Sequence, residues 1–246
     1  MNLSWLLPEA KGIPVLMYHR VWPGAEDDLA ISPERLRQQW EYLKQVGYHS
    51  LSLPVYLDIV TGKGAAPAKS VLITFDDGYR NNLLYAYPLL KEIGLQATFF
   101  IIGNMLDEIA AIETDAITQK MSVEELRSLD TGTVQLAMHG YAHKDLGKIN
   151  AAEMSAEINS AVKAFEESRL SYHKVWAFAY GARPAAMSEL KKLMRSADIK
   201  AAFRIGNKVS RVPTTDIYEL KRIDIKGTDT MEEFKIKLRK GRLKPF

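Results

Sequence analysis

Val71-Leu72-Ile73-Thr74-Phe75-Asp76-Asp77-Gly78-Tyr79 is a run of apolar, β-branched and aromatic residues that stops at two carboxylates and a glycine. It is too short for a helix and is bounded by turn chemistry, so it reads as a buried strand. Asp76 and Asp77 then stand at or just past its C-terminal end, the edge where parallel α/β folds bind ligands. Two adjacent ionised carboxylates repel each other and need a metal or hydrogen-bond donors to hold them. Alone, an Asp-Asp-Gly is better read as a turn with a solvated spare acid. The decision rests on what the rest of the chain brings to the same edge.

Upstream, Gly12 to His19 reads as a first buried strand ending in a polar pair. Ser32-Pro33-Glu34 opens a helix that runs to Gly47, with a serine cap, a proline in the first turn and an acid behind it. Tyr48 to Leu53 reads as a second strand and Pro54 to Thr61 as a short helix. Downstream, Tyr79 to Ile93 has helical periodicity, Pro88 should kink or break it, and Gly94 closes it. Gln96 to Ile102 is a strand. A capping box at Ser122 starts a helix. Thr133 to Met138 is a strand that runs straight into His139. Then follow a helix (150–167), a strand (174–180), a helix (187–197), a short strand (200–203), a strand (218–225) and a last helix (230–239). Strand and helix alternate with short links and no composition shift, which argues for βα units around a parallel sheet or barrel in a single domain, 1–246.

The bulk numbers exclude more than they assign. The chain has 246 residues, 47% apolar and 26% charged, as in an ordinary soluble protein. A net charge of +3 demands no nucleic acid or other polyelectrolyte partner. With no cysteine there is neither disulfide nor thiolate site, so any metal must rest on histidine and carboxylate. No apolar run is long enough to span a bilayer. Met1 to Glu9 lacks the basic opening and long apolar core of a secretory signal, so the expected location is the cytoplasm, unless a signal was removed beforehand. The basic tail from Lys235 to Lys244 reads as a solvated face at a helix C-terminus. Oligomeric state has no signature here.

His139-Gly140-Tyr141-Ala142-His143 supplies the missing chemistry. Two imidazoles four residues apart, on one helical turn or a turn that mimics it, reach one ion. Two histidines, one carboxylate and an open position make a hydrolytic zinc or related site. Taken singly, His143 could instead hydrogen-bond at the surface. His139 nevertheless follows a strand as Asp77 does, so in a parallel sheet both reach one edge. His49 and His173 precede their strands and belong to the opposite end.

Thr74-Phe75-Asp76-Asp77-Gly78 with His139-x-x-x-His143 resembles the first two motifs of the polysaccharide deacetylases, the fourth family of carbohydrate esterases or NodB-homology domains. Val15 to Val21 resembles the opening strand of the branch acting on bacterial surface polysaccharides, and Phe178-Ala179-Tyr180-Gly181 the third motif. The resemblance covers about 13–225. It implies a distorted (β/α) barrel with fewer regular strands than eight. It implies that Asp77, His139 and His143 bind a divalent metal, Zn2+ first and Ni2+ or Co2+ as alternatives. Asp76 would be the general base, and a backbone N–H at or near Tyr180 would hold the oxyanion. The reaction implied is removal of N-acetyl groups from an amino sugar of a surface polysaccharide or its precursor.

Two departures stand out. The third motif usually offers an arginine before the aromatic, whereas Arg183 comes after it and either turns back to Asp76 or caps a loop. The last motif usually supplies a histidine that protonates the leaving amine, whereas Leu220 to Ile225 has none. His19 is the substitute at the same edge, unless it is only structural. Arg222 could bind an anionic substrate group or pair with Asp224. A saccharide-binding member without turnover, or an amidase for a small non-sugar substrate, are the rival readings.

Overall fold

The computed structural model describes residues 11–107, 115–181 and 183–242. Seven strands close into a parallel barrel: β1 (Val15–Tyr18), β5 (Ser70–Phe75), β6 (Ala97–Ile101), β7 (Val134–Met138), β8 (Tyr172–Ala177), β9 (Ala201–Ile205) and β10 (Leu220–Asp224), with β10 returning to β1. The architecture is the distorted (β/α) barrel expected above. β2 (Arg20–Val21) and β3 (Ala30–Ile31) form a small parallel pair at the rim. The second strand of the sequence reading shrinks to β4 (His49–Ser50), which joins β5 only at Ser70 and Val71.

Alternation along the strands sorts the side chains. Val71, Ile73 and Phe75 face the outer core with Leu16, Phe99, Leu136 and Ile223. Leu72, Phe100, Ala137, Val175, Phe203 and Leu220 fill the barrel interior. Helix α2 (Leu53–Val60) belongs to that interior cluster through Leu53, Tyr56, Ile59 and Val60, so it plugs the N-terminal mouth of the barrel. The period of two then places Thr74 and Asp76, Gln135 and His139, Leu220 and Arg222 on the inner surface. Val15 carries His19 to that surface in the same way.

The outer ring comprises α1 (Pro33–Gln45), α3 (Tyr87–Ile93), α4 (Val123–Ser128), α5 (Ala151–Ser168), α6 (Met187–Ser196) and α7 (Met231–Lys240). The helix expected from Tyr79 starts later and is not uniform. Asn82 to Ala86 has π register, in which the Tyr87 N–H bonds the Asn82 carbonyl, and α3 follows with Pro88 in its first turn. A proline has no N–H to lose there, so the change of register falls where the ladder is already broken. The strand expected through Tyr180 ends at Ala177, and Ala179 to Gly181 form a tight turn instead. No described helix is long and apolar enough to cross a membrane.

Candidate metal centre

Asp76 and Asp77 are neighbours, and in a continuing strand they would point to opposite faces. Asp77 instead adopts φ 71°, followed by Gly78 at φ 67°. This left-handed turn, costly for a non-glycine residue, lets both carboxylates address the same space. β7 delivers His139 opposite them. The His139 N–H bonds the Ile101 carbonyl at 2.8 Å, and its Nδ1 lies 2.9 Å from the Ala177 carbonyl. A carbonyl only accepts, so Nδ1 carries the proton and the lone pair of Nε2 faces the carboxylates. His143 reaches the same point from an irregular turn rather than a helix, at φ 53°.

Both imidazole Nε2 atoms lie 3.2 Å from Asp77 Oδ1. One ligand atom from each residue falls within 4.8 Å of the others. These approaches are not hydrogen bonds: Asp77 Oδ1 is buried and finds no aligned donor. A buried carboxylate oxygen facing nitrogen lone pairs is satisfied by a cation, and the donor set, two imidazoles and one carboxylate, suits zinc or a related ion. The electrostatics agree. Burial opposes ionisation of Asp77, but a proton or positive charge brought up by His139 and His143 holds its carboxyl well below the usual range, so the site favours a cation at this oxygen. Burial likewise opposes a charge on His139, but Asp76 and Asp77 raise its proton affinity. The cluster as a whole favours positive charge.

Asp76 is held differently. Arg222 of β10 grips both its oxygens, Nη1 to Oδ1 at 2.5 Å and Nη2 to Oδ2 at 2.6 Å, with no side-chain surface of the arginine exposed. Burial pushes the Asp76 carboxyl up, but Arg222 and His139 bring it below its ordinary value. Asp76 Oδ2 is also 3.7 Å from His139 Nε2. Arg222 thus pairs with Asp76 rather than Asp224, and being fully buried it offers nothing to an anionic substrate. A guanidinium on the inner face of a barrel requires an opposite charge there, and Asp76 supplies it.

The family model for polysaccharide deacetylases matches residues 63–205, more than half of the 246-residue chain. The chain belongs to the polysaccharide deacetylase family. This deacetylase-family chain is 27% identical over 165 residues to YxkH of Bacillus subtilis, across 66% of its own length but only 55% of the relative's. It is 26% identical over 199 residues to the poly-beta-1,6-N-acetyl-D-glucosamine N-deacetylase of Staphylococcus aureus, covering 77% of this chain and 66% of that one. Its fold superposes on the Streptococcus pyogenes deacetylase PplD, solved in complex with acetate, with a TM-score of 0.78 at 18% identity, over 93% and 98% of the two chains.

The remaining residues of this family member fall into place around the rim. His19 follows β1 beside Asp76, whose N–H bonds the Tyr18 carbonyl at 3.0 Å. Its Nδ1 is buried without a partner, and burial pushes its pKa down, so it is neutral at pH 7. Tyr180 stands at φ 57° with 67% of its surface exposed, its ring edge-on to His143 at 4.8 Å between centroids.

Arg183 does not turn back to Asp76. It caps the loop by binding Glu219 at 3.0 Å, where Lys191, Arg204 and Lys221 also gather. Burial opposes ionisation of Glu219, yet Arg183 and the lysines lower its pKa to about 2 from 4.5. A carboxylate depressed in the folded state stabilises above its unfolded pKa and loses that contribution as pH falls toward the folded one. Glu219→Gln should therefore flatten the decline in melting temperature between about pH 5 and pH 2. An acid limb identical to the wild type would show that the cluster contributes nothing.

Proposed function

We propose that this chain is a metal-dependent hydrolase that removes N-acetyl groups from an N-acetylamino sugar of a surface polysaccharide or its precursor. The observation that carries the reading is one point, buried at Asp77 and His139 and half-open at His143, where the three converge while Asp76 stands locked beside them. Asp77, His139 and His143 would hold the ion, zinc first among candidates. Once bound, a divalent ion polarises an acyl oxygen and lowers the pKa of water.

The other steps belong to the chain. Asp76, ionised and oriented by Arg222, takes the proton of the attacking water. The backbone N–H at Tyr180 faces the developing oxyanion. His19, neutral at rest, relays a proton to the departing sugar amine, and so must first receive one from Asp76. Tyr180 also offers an exposed ring at the rim against which a sugar can lie.

The name of the Staphylococcus aureus relative makes β-1,6-linked N-acetylglucosamine oligomers the first substrate to try. Acetate release should vanish on chelation and return with zinc, nickel or cobalt. Asp77→Asn should lower it by more than ~100-fold, because losing a ligand exceeds the 10–100-fold cost of losing an outer partner. Full activity after exhaustive metal removal would sink the reading. The rival, a saccharide-binding member without turnover, predicts stoichiometric metal and sugar binding with no acetate on a broad panel. The Arg222–Asp76 pair favours turnover, since it gives the base the guanidinium partner that the third motif lacks.

A further inference from the structure

Glu157 has no part in the chemistry proposed above, yet it is among the most buried acids of the described residues, 3% exposed in the middle of α5. Its Oε1 accepts the backbone N–H of Tyr141 and of Ala142, each at 2.8 Å, with the Lys144 N–H at 3.5 Å. A carboxylate gathering several amide protons makes strong, charge-assisted bonds. The three peptide groups flank His143, whose left-handed backbone aims its imidazole at Asp77. Left-handed φ is unfavourable for histidine and persists only where the surroundings enforce it.

The opposite side of the same loop is held independently. The Gly103 N–H bonds the Gly140 carbonyl at 2.8 Å and the Asn104 N–H bonds the Tyr141 carbonyl at 2.9 Å. Gly140, at φ 83°, leaves the space the carboxylate needs: a Cβ there would lie 2.8 Å from Glu157 Oε1. His139 needs no such help, because Ile101 and Ala177 anchor it directly.

We infer that Glu157 is the positioning residue for His143. It clamps the 140–144 loop in the one shape that carries the second imidazole to Asp77, and thereby sets the affinity of the site for its divalent ion. The inference rests on the metal reading above.

Zinc titration of the metal-stripped full chain by calorimetry, with amide hydrogen exchange, tests it. Glu157→Ala should weaken zinc binding ~10–100-fold, the usual cost of losing a residue that orients a ligand. It should also speed exchange at Tyr141 and Ala142. Glu157→Gln, which keeps the acceptor oxygen but not the charge, should lose less. Glu153→Ala removes the N-terminal capping box of the same helix. It should lower the melting temperature without moving zinc affinity. Should Glu157→Ala not fold, Glu157→Gln carries the test, and zinc affinity equal to the wild type overturns the inference. So does a folded Glu157→Ala that binds zinc within about two-fold of the wild type, or a Glu153→Ala that weakens zinc as much. A wild-type chain that binds no divalent ion overturns the metal reading and this inference together, whereas equal binding by both chains overturns this inference alone.

Discussion

Replacing Arg222 by methionine is expected to cost about 3–5 kcal/mol of folding stability, the penalty for leaving one member of a buried ion pair uncompensated. The guanidinium is wholly buried, binds both oxygens of Asp76 and lies over the Phe100 ring at 5.3 Å. Stranded in the interior, Asp76 would take up a proton, because burial disfavours its charged form. A protonated Asp76 cannot accept one from water, so acetate release should disappear as well. The double substitution Asp76→Asn with Arg222→Met removes both charges and should recover much of the lost stability but none of the activity. Urea denaturation of the wild type, the two single variants and the double variant measures the coupling. If Arg222→Met is as stable as the wild type, the pair is not the constraint described here.

The second large effect separates the two proton-handling residues. Asp76→Asn should reduce acetate release ~10²–10⁴-fold, the range for loss of a positioned base, from acetamido sugars and activated aryl acetates alike. His19→Gln should give a drop of the same order, ~10²–10⁴-fold, but only with the acetamido sugar. A sugar amine must be protonated as it leaves, whereas an aryl oxide departs without help. Both variants should still bind zinc, since neither residue is among the converging ligands. An equal loss on both substrates in His19→Gln would assign His19 to packing, and the proton would have to come from elsewhere.

Much of the fold and part of the site are legible in the sequence. The Asp-Asp strand, the strand running into His139 and the capping box at Ser122 are local patterns, and local patterns survive folding well. Parallel strands sharing one edge bring Asp77 and His139 together in the sequence reading, and the family resemblance adds His143. Arg222 was not readable in the same way. Its partner is 146 positions away, and the pattern of β10 says which residues share a face but not which face turns inward. The π register before Pro88 escaped because side-chain periodicity cannot tell a register change from a kink. Tyr180 was placed on a strand because an aromatic after apolar residues looks extended, while its positive φ is imposed by the turn around it. The three left-handed side-chain-bearing residues of the site, Asp77, His143 and Tyr180, contradict local preference, as strained functional positions do.

The distance along the chain between Asp76 and Arg222 also sets an order of events during synthesis. By the time His143 has emerged, every proposed metal ligand exists, and strands β5 to β7 can already pair with their neighbours. The guanidinium arrives only with β10, the last strand, whose pairing with β1 closes the barrel. On the proposed mechanism, a chain lacking β10 would carry every proposed ligand of the ion but not the guanidinium that orients the proposed base. Closure of the barrel and completion of the proposed machinery would then be one event, and a chain truncated before β10 is expected to release no acetate.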